Sequence, residues 1–330
     1  MTVDSLPSKD LKFRLMNPEM RCDLDNKASY SVRFSGVEEF GEAVRARGWN
    51  IEYRQMGKGT FSAELATLEN GGIYLTSARY DNHLHILCEP PEGLIGLCLP
   101  QGRAAACGRA LAEGDLIVFP SLSELEFVTR DEIRNETVLL AEVEFRDAAR
   151  SLAPSVELFS PRLAAIRHGD VKGLAAIQHE IDSVHRNGSL DSETASNLLA
   201  RTILWMVDVS SASDAEGLAN GRATVIARRA QTWIEENYHD TIRLEDLCGF
   251  AGVGLRTLQR CFASHFQISP IDYIKARRLN AARRDLVAAN PSNHSVTSIA
   301  MDNGFSHLGR FSIGYRMQFC ESPRETLLRM

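Results

Sequence analysis

Two clusters of side chains near the C-terminal end carry the most specific chemistry in this chain. The first is Arg256, Thr257, Gln259, Arg260 and Ser264, and the second is His307, Gly309, Arg310 and Ile313. Arg and Gln present paired donors and acceptors whose spacing matches guanine and adenine edges in a major groove, at about 1–3 kcal/mol per good bidentate contact. Arg277, Arg283, Arg284 and Arg316 are candidates for phosphate contacts, which position a protein on the duplex without reading sequence. Catalytic residues are not expected.

Such clusters read bases only if helices hold them outward. Residues 222–330 read as seven helices. Residues 244–266 and 295–319 each form a helix, a Gly-containing turn and a second helix, the plan of a helix-turn-helix unit. At 100° per residue Leu255, Leu258, Phe262 and Phe266 fall on one arc and are expected inward. The first cluster then points away. Leu308, Phe311, Tyr315 and Phe319 form the corresponding buried arc of the second unit. Ser269-Pro270 and Ser322-Pro323 with Glu325 are N-cap signals. Residues 270–289 read as one helix that would fix the two readers one helical turn of DNA apart, about 34 Å.

The segment 244–330 strongly resembles the DNA-binding domain of the AraC/XylS family of bacterial transcription regulators. The residues carrying the likeness are Leu247, Leu258-Gln259-Arg260, Phe262, Ser269-Pro270, Tyr273, Arg278-Leu279 and Ala282 in the first half. In the second half they are Ile299-Ala300, Gly304-Phe305, Phe311, Phe319 and Ser322-Pro323. Arg256 to Gln259, Arg278 to Ala281 and Gly304 to Gly309 resemble the ethanolamine-utilisation regulator branch. Gln267 and Cys320 stand where the family has Gly, so mild backbone strain is expected there. Gly254 replaces the usual Ser/Thr cap, and Gly314 replaces a better helix former. The resemblance implies operator DNA and RNA polymerase as partners, a small-molecule effector, a homodimer and activation of transcription. No cofactor is implied.

The N-terminal part has a different texture. Within 30–146, the segments 50–56, 60–68, 72–79, 83–88, 93–99, 115–119, 124–129 and 137–146 read as short strands broken by Gly and Pro turns, a sandwich or barrel pattern. This region resembles a cupin-type sensor barrel, which could hold a ligand among inward side chains. His83-x-His85-x₃-Glu89-x₆-Gly96 has the spacing of a cupin metal box. However, Ser77 stands in place of the leading Gly, and Gly114-x₅-Pro120 runs on through Leu122 and Leu125 without the closing His. Pro90-Pro91 ends the strand at Glu89. The pair therefore reads as coincidental, with no metal expected. The alternative it leaves is a metal-dependent cupin enzyme fused to a DNA-binding domain.

Helices are expected over 147–207, where Leu174, Ile177, Ile181 and Val184 form a narrow apolar stripe that would pack on the barrel or on a partner subunit, dimerisation being the preferred reading. The fold class is thus α+β in two domains. Residues 1–207 form the sensor and dimerisation part, 208–221 a polar linker, and 222–330 the all-α DNA-binding part. Charge agrees with the division. Residues 222–330 hold 15 Lys and Arg against 10 Asp and Glu, a net of +5, whereas the remaining 221 residues hold 22 against 33, a net of −11. Only the basic part would follow phosphates. Seven scattered cysteines without a CxxC pair suit a reducing compartment. With neither a signal-peptide core nor an apolar run of membrane-spanning length, a cytoplasmic protein is expected.

Overall fold

The computed structural model describes residues 31–329, apart from 113, 120–123, 153–164, 169–170 and 212–220. The chain begins with β1 (Ser31–Phe34), α1 (Val37–Arg45), β2 (Asn50–Gln55), β3 (Ala63–Asn70), β4 (Ile73–Tyr80) and β5 (Leu84–Glu89). It continues through β6 (Leu94–Gln101), β7 (Ala104–Ala106), β8 (Arg109–Ala110), β9 (Asp115–Phe119), β10 (Leu125–Thr129) and β11 (Ile133–Ala141). The helices α2 (Glu142–Leu152), α3 (Val171–Asn187) and α4 (Ser192–Ser211) follow, with β12 (Ala165–His168) between the first two. The strands form an antiparallel sheet in the order β1-β3-β4-β11-β6-β9-β12 and a second in the order β2-β5-β10-β7-β8.

Alternation along the strands divides the side chains among three environments. Leu84, Ile86, Leu125, Phe127, Ile133 and Leu139 point between the sheets, where Phe40 of α1 packs on Tyr53, Phe61 and Tyr80. The opposite face of the seven-stranded sheet is half apolar. Ile73, Leu75, Ile95, Leu97, Val138 and Leu140 bury against Ile177, Ile181 and Val184 of α3 and Leu198, Ile203 and Trp205 of α4. The stripe expected to serve dimerisation is therefore used within its own chain. The outer half of the same face, toward Ser77, Arg79, Arg134 and Glu136, is polar. The outward face of the five-stranded sheet carries Arg54, Met56, His85, Glu126 and Val128, and Met56 and Val128 belong to the apolar core of the C-terminal helices.

Several segments differ from the sequence reading. Residues 142–146, read as strand, open α2, and α1 occupies residues to which no element was assigned. Within 147–207, expected to be helical, β12 pairs with β9 and extends the seven-stranded sheet. Helix α4 extends through Ser211, so residues 208–211 of the expected linker are helical. No Gly or Pro interrupts them. Residues 212–220, Pro120 and Leu122 lie outside the described residues.

The C-terminal part consists of α5 (Arg222–Asn237), α6 (Leu244–Ala251), α7 (Leu255–His265), α8 (Pro270–Ala288), α9 (Val296–Asp302), α10 (Leu308–Phe319) and α11 (Pro323–Leu328). Ser269 caps α8, and Ser322 with Glu325 forms the capping box of α11. The longest of these, α8, shares the Leu258–Phe262–Tyr273 core with α5 to α7 and the Leu279–Phe311–Tyr315 core with α9 to α11. One rigid helix thus joins both units. Between α9 and α10, Gly304 has φ +77°, and a Cβ there would meet the Tyr238 and His239 carbonyls at 2.8 and 2.9 Å. Only glycine fits.

Gln267 and Cys320 do adopt left-handed backbones, at φ 61° and 58°. Cys320 is exposed and ends α10. A left-handed backbone costs an L-residue about 1–2 kcal/mol, and glycine returns about 0.5–1 of that in chain entropy. Cys320→Gly is expected to stabilise the protein by about 0.5–1 kcal/mol. A lower urea midpoint for the variant would contradict this.

Candidate nucleic-acid interface

Helices α7 and α10 present the predicted reader residues to solvent. Leu258, Cys261, Phe262 and His265 are buried on one side of α7, which leaves Arg256, Gln259, Arg260 and Ser264 exposed and Thr257 half-buried. On α10, Phe311, Tyr315 and Phe319 are buried, and Gly309, Arg310, Ile313 and Arg316 are exposed. His307 is the exposed N-cap residue. Arg256, Arg260 and Arg310 make no ion pair among the described residues. Guanidiniums with no internal partner on two such faces suit base edges or phosphates.

Two inward assignments fail. Leu255 and Leu308 are 43% and 38% exposed, because each is the first residue of its helix and overhangs the core. Gly314 is explained by contact. It is buried against α8, and a Cβ there would lie 3.0 Å from Lys275 Cε. Gly254 caps α7 without a side-chain bond.

The phosphate candidates divide. Arg316 is exposed on the reader side. Arg277 and Arg283 are buried, 7% and 5% exposed. Arg277 Nε donates to Glu235 at 2.6 Å while its guanidinium stacks 3.8 Å from the Tyr238 ring centre. Arg283 Nε donates to Glu38 of α1 at 2.8 Å, and its other end pairs with Glu321. Arg284, half-exposed, pairs with Glu52 of β2 at 3.1 Å. Phosphate contact by Arg277 and Arg283 is therefore corrected: Glu235 of α5 neutralises the first, and Glu38 of the N-terminal part together with Glu321 neutralises the second, in place of DNA. Arg278 donates to the Tyr238 and Asp240 carbonyls beyond the end of α5.

Around these arginines the two parts of the chain lock together. β2 lies at the edge of its sheet, and the Asn280 side chain pairs with the Gln55 backbone as a further strand would. Asn280 Oδ1 accepts from Gln55 N at 2.9 Å and Nδ2 donates to Gln55 O at 2.8 Å. Gln55 Nε2 donates to the Gln318 carbonyl of α10 at 2.6 Å. Buried Arg54 spans Glu52 and Glu235 at 2.8 and 2.6 Å. Glu126 is 3% exposed. Its two oxygens take His85 Nε2 and His265 Nε2, each at 2.8 Å, and Arg228 Nε at 3.0 Å. Burial pushes the Glu126 carboxyl up, but the hydrogen bonds from His265 and His85 outweigh it and hold the group well below its usual range.

The His83-x-His85 pair thus has a structural use. His85 reaches Glu126, and His83 Nε2 lies 3.1 Å from the carbonyl of Phe266 at the end of α7. Glu89 accepts from Asn50 instead of converging on the two histidines. Burial lowers the His83 pKa to about 4, despite the raising effect of the Phe266 carbonyl. A histidine neutral in the fold but protonated in the open chain below about 6.5 favours the fold above that pH. Its contribution falls as pH drops from about 6.5 toward about 4. The difference in thermal midpoint between pH 7.5 and pH 5 is expected to shrink in His83→Asn, and an unchanged difference would refute this role.

Two helix-turn-helix units with outward basic faces, joined by one helix, define the class of protein. Residues 247–329 match the family model described as "Helix-turn-helix domain". The chain is 39% identical over 99 residues to the XylDLEGF operon transcriptional activator 2 of Pseudomonas putida, covering 30% of this chain and 63% of that one. It is 31% identical over 156 residues to the HTH-type transcriptional activator RhaS of Salmonella schwarzengrund, covering 46% and 53%. A probable AraC family transcriptional regulator from Rhodopseudomonas palustris, of solved structure, is 35% identical over 32% of this chain and 95% of its own, with a TM-score of 0.30. The chain thus spans less than two thirds of the length of these curated relatives. The sequence similarities support a DNA-binding regulator of the AraC/XylS type. No helix among the described residues is long and apolar enough to cross a membrane.

Proposed function

We propose that this protein is a sequence-specific transcriptional activator whose α7 and α10 enter successive major grooves of operator DNA. The observation that carries this reading is the pair of outward faces on one rigid α8. On these faces Arg256, Thr257, Gln259, Arg260 and Ser264, then His307, Gly309, Arg310 and Ile313, read base edges, while Arg316 takes a phosphate. The two-sheet N-terminal part acts as a cupin-like sensor of a small molecule, residues 222–330 as the DNA-binding domain, and RNA polymerase as the partner of the bound activator. A homodimer would use a surface other than the covered α3 and α4 stripe. The likeness of Arg256 to Gln259 and Gly304 to Gly309 to ethanolamine-utilisation regulators remains a lead to the regulated genes. Effector control requires a ligand with different affinity for two arrangements of the chain, and the Glu126 and Arg54 clusters are the contacts such a change would remake. No catalytic step is proposed.

Sequencing of DNA fragments retained by the purified full-length protein tests the reading. The expected result is a motif of two boxes whose centres lie one helical turn apart, about 34 Å. Retention without any enriched motif would refute sequence-specific readout.

A further inference from the structure

The outer face of the seven-stranded sheet holds a cleft that neither DNA reading nor the contact between the two parts uses. It has a volume of about 500 Å³ and is lined by Glu64, Ser77, Arg79, Glu132, Arg134 and His185 among others. This lies within the range of small-molecule sites, roughly 300–1,000 Å³. Strand register explains its character. Ser77 of β4 stands opposite Glu136 of β11, and Arg79 stands opposite Arg134, so all four side chains leave the same face. Farther along these strands that face is apolar and covered by α3 and α4. Here it is charged and open.

Glu136 is fully buried and does not itself line the cleft, but the three side chains bonded to it do. Its Oε1 accepts from Ser77 Oγ at 2.8 Å, Arg134 Nε at 2.6 Å and His185 Nε2 at 3.2 Å. Its Oε2 has no hydrogen-bond partner. A buried carboxylate oxygen without a donor is costly, and here it sits below a site large enough for a ligand. Arg79 and Arg134 supply guanidinium N–H groups on the solvent side, with side chains 57% and 38% exposed.

We propose that this cleft binds a small zwitterion of the amino-acid type. Its ammonium group donates to Glu136 Oε2, and its carboxylate accepts from Arg79 and Arg134. The half-exposed Arg134 side chain moves aside to admit the ammonium and turns its guanidinium to the carboxylate. Binding is independent of DNA, although its regulatory meaning rests on the activator reading above. A short route leads to the first reader helix. Arg79 pairs with Glu132 at 2.7 Å, and Arg130, two residues earlier in the same turn, bonds Gln267 just beyond α7.

The test is isothermal titration of the full-length protein, without DNA, against the twenty standard amino acids, β-alanine and 4-aminobutyrate. At least one is expected to bind saturably and to raise the thermal midpoint. The surface variant Arg79→Ala and the isosteric Glu136→Gln are each expected to weaken that ligand about tenfold or more, the effect of losing roughly 1.4 kcal/mol. Should Glu136→Gln fail to fold, Arg79→Ala, which alters only an exposed side chain, still decides the matter. Absence of binding across the panel would overturn the proposal, as would affinity unchanged in Arg79→Ala. Neither result depends on the DNA selection, so this site and the activator reading can fail separately.

Discussion

Glu126→Ala is expected to release the N-terminal part from α7 and to cost about 3–5 kcal/mol, the usual penalty for removing one partner of a buried charged cluster. The substitution strands His85, His265 and the half-exposed Arg228, all of which converge on this carboxylate. Most of the loss comes from the two histidines, since the pair with Arg228 is partly screened by solvent. Glu126→Gln keeps the shape but offers an N–H where one histidine needs an acceptor. If His265 turns its Nε2 lone pair to that N–H, its proton moves to Nδ1, a buried atom with no partner. Gln should therefore recover only part of the loss. Denaturant unfolding with limited proteolysis between the two parts measures the effect. An alanine variant within about 0.5 kcal/mol of the parent, as for an ordinary surface change, would show that the cluster does not hold the parts together.

The same group sets a pH limit. Its carboxyl is held below the usual range in the fold and returns to about 4.3 in the open chain. Its contribution is then complete above that value and disappears as pH falls through the lower folded pKa. The His83 contribution fades earlier, between about 6.5 and about 4. Acidification should accordingly weaken the contact in two stages, with only the first removed by His83→Asn.

What could be read in advance depended on how local its cause was. The caps at Ser269 and Ser322, the unbroken α8 and the buried Phe262 and Phe311 follow from spacing within one helix. So does the outward direction of Arg256 and Arg310. Helix α1 was missed because its nine residues fall short of the window of about 11–18 over which helical periodicity is read. Residues 142–146 continue the alternation of β11 although the backbone turns helical there. The destination of the α8 arginines is a different kind of problem. A solvated guanidinium and one buried against a carboxylate distant in sequence look alike along a chain. One signal was nevertheless present: Tyr273, Arg277, Asn280 and Arg284 recur at steps of three and four, one stripe of α8, and this stripe meets Arg54, Glu52 and the Gln55 backbone. Likewise His83 and His85 have a spacing that suggests a metal, while their use is set by Phe266 and Glu126, which no local pattern links to them.

That division of the arginines leads to the other large effect. Arg256→Ala and Arg310→Ala are each expected to weaken operator binding by about 1–3 kcal/mol, roughly 5- to 150-fold, and to relax base preference at one position. The residues lie on separate helices of separate units, so the losses should add in the double variant. Arg316→Ala should instead weaken all sequences alike and lower the salt slope by about 0.9, as loss of one phosphate contact does. Arg277→Ala and Arg283→Ala provide the contrast. Both side chains are committed to Glu235, Glu38 and Glu321, so their removal should lower stability while leaving the salt slope unchanged. Fluorescence anisotropy on the selected operator at several salt concentrations separates the three groups. If Arg277→Ala lowers the salt slope as Arg316→Ala does, then DNA binding opens the contact between the two parts and frees α8 for phosphate. If Arg256→Ala and Arg310→Ala both bind the operator as tightly as the parent, the outward faces of α7 and α10 are not the reading surface.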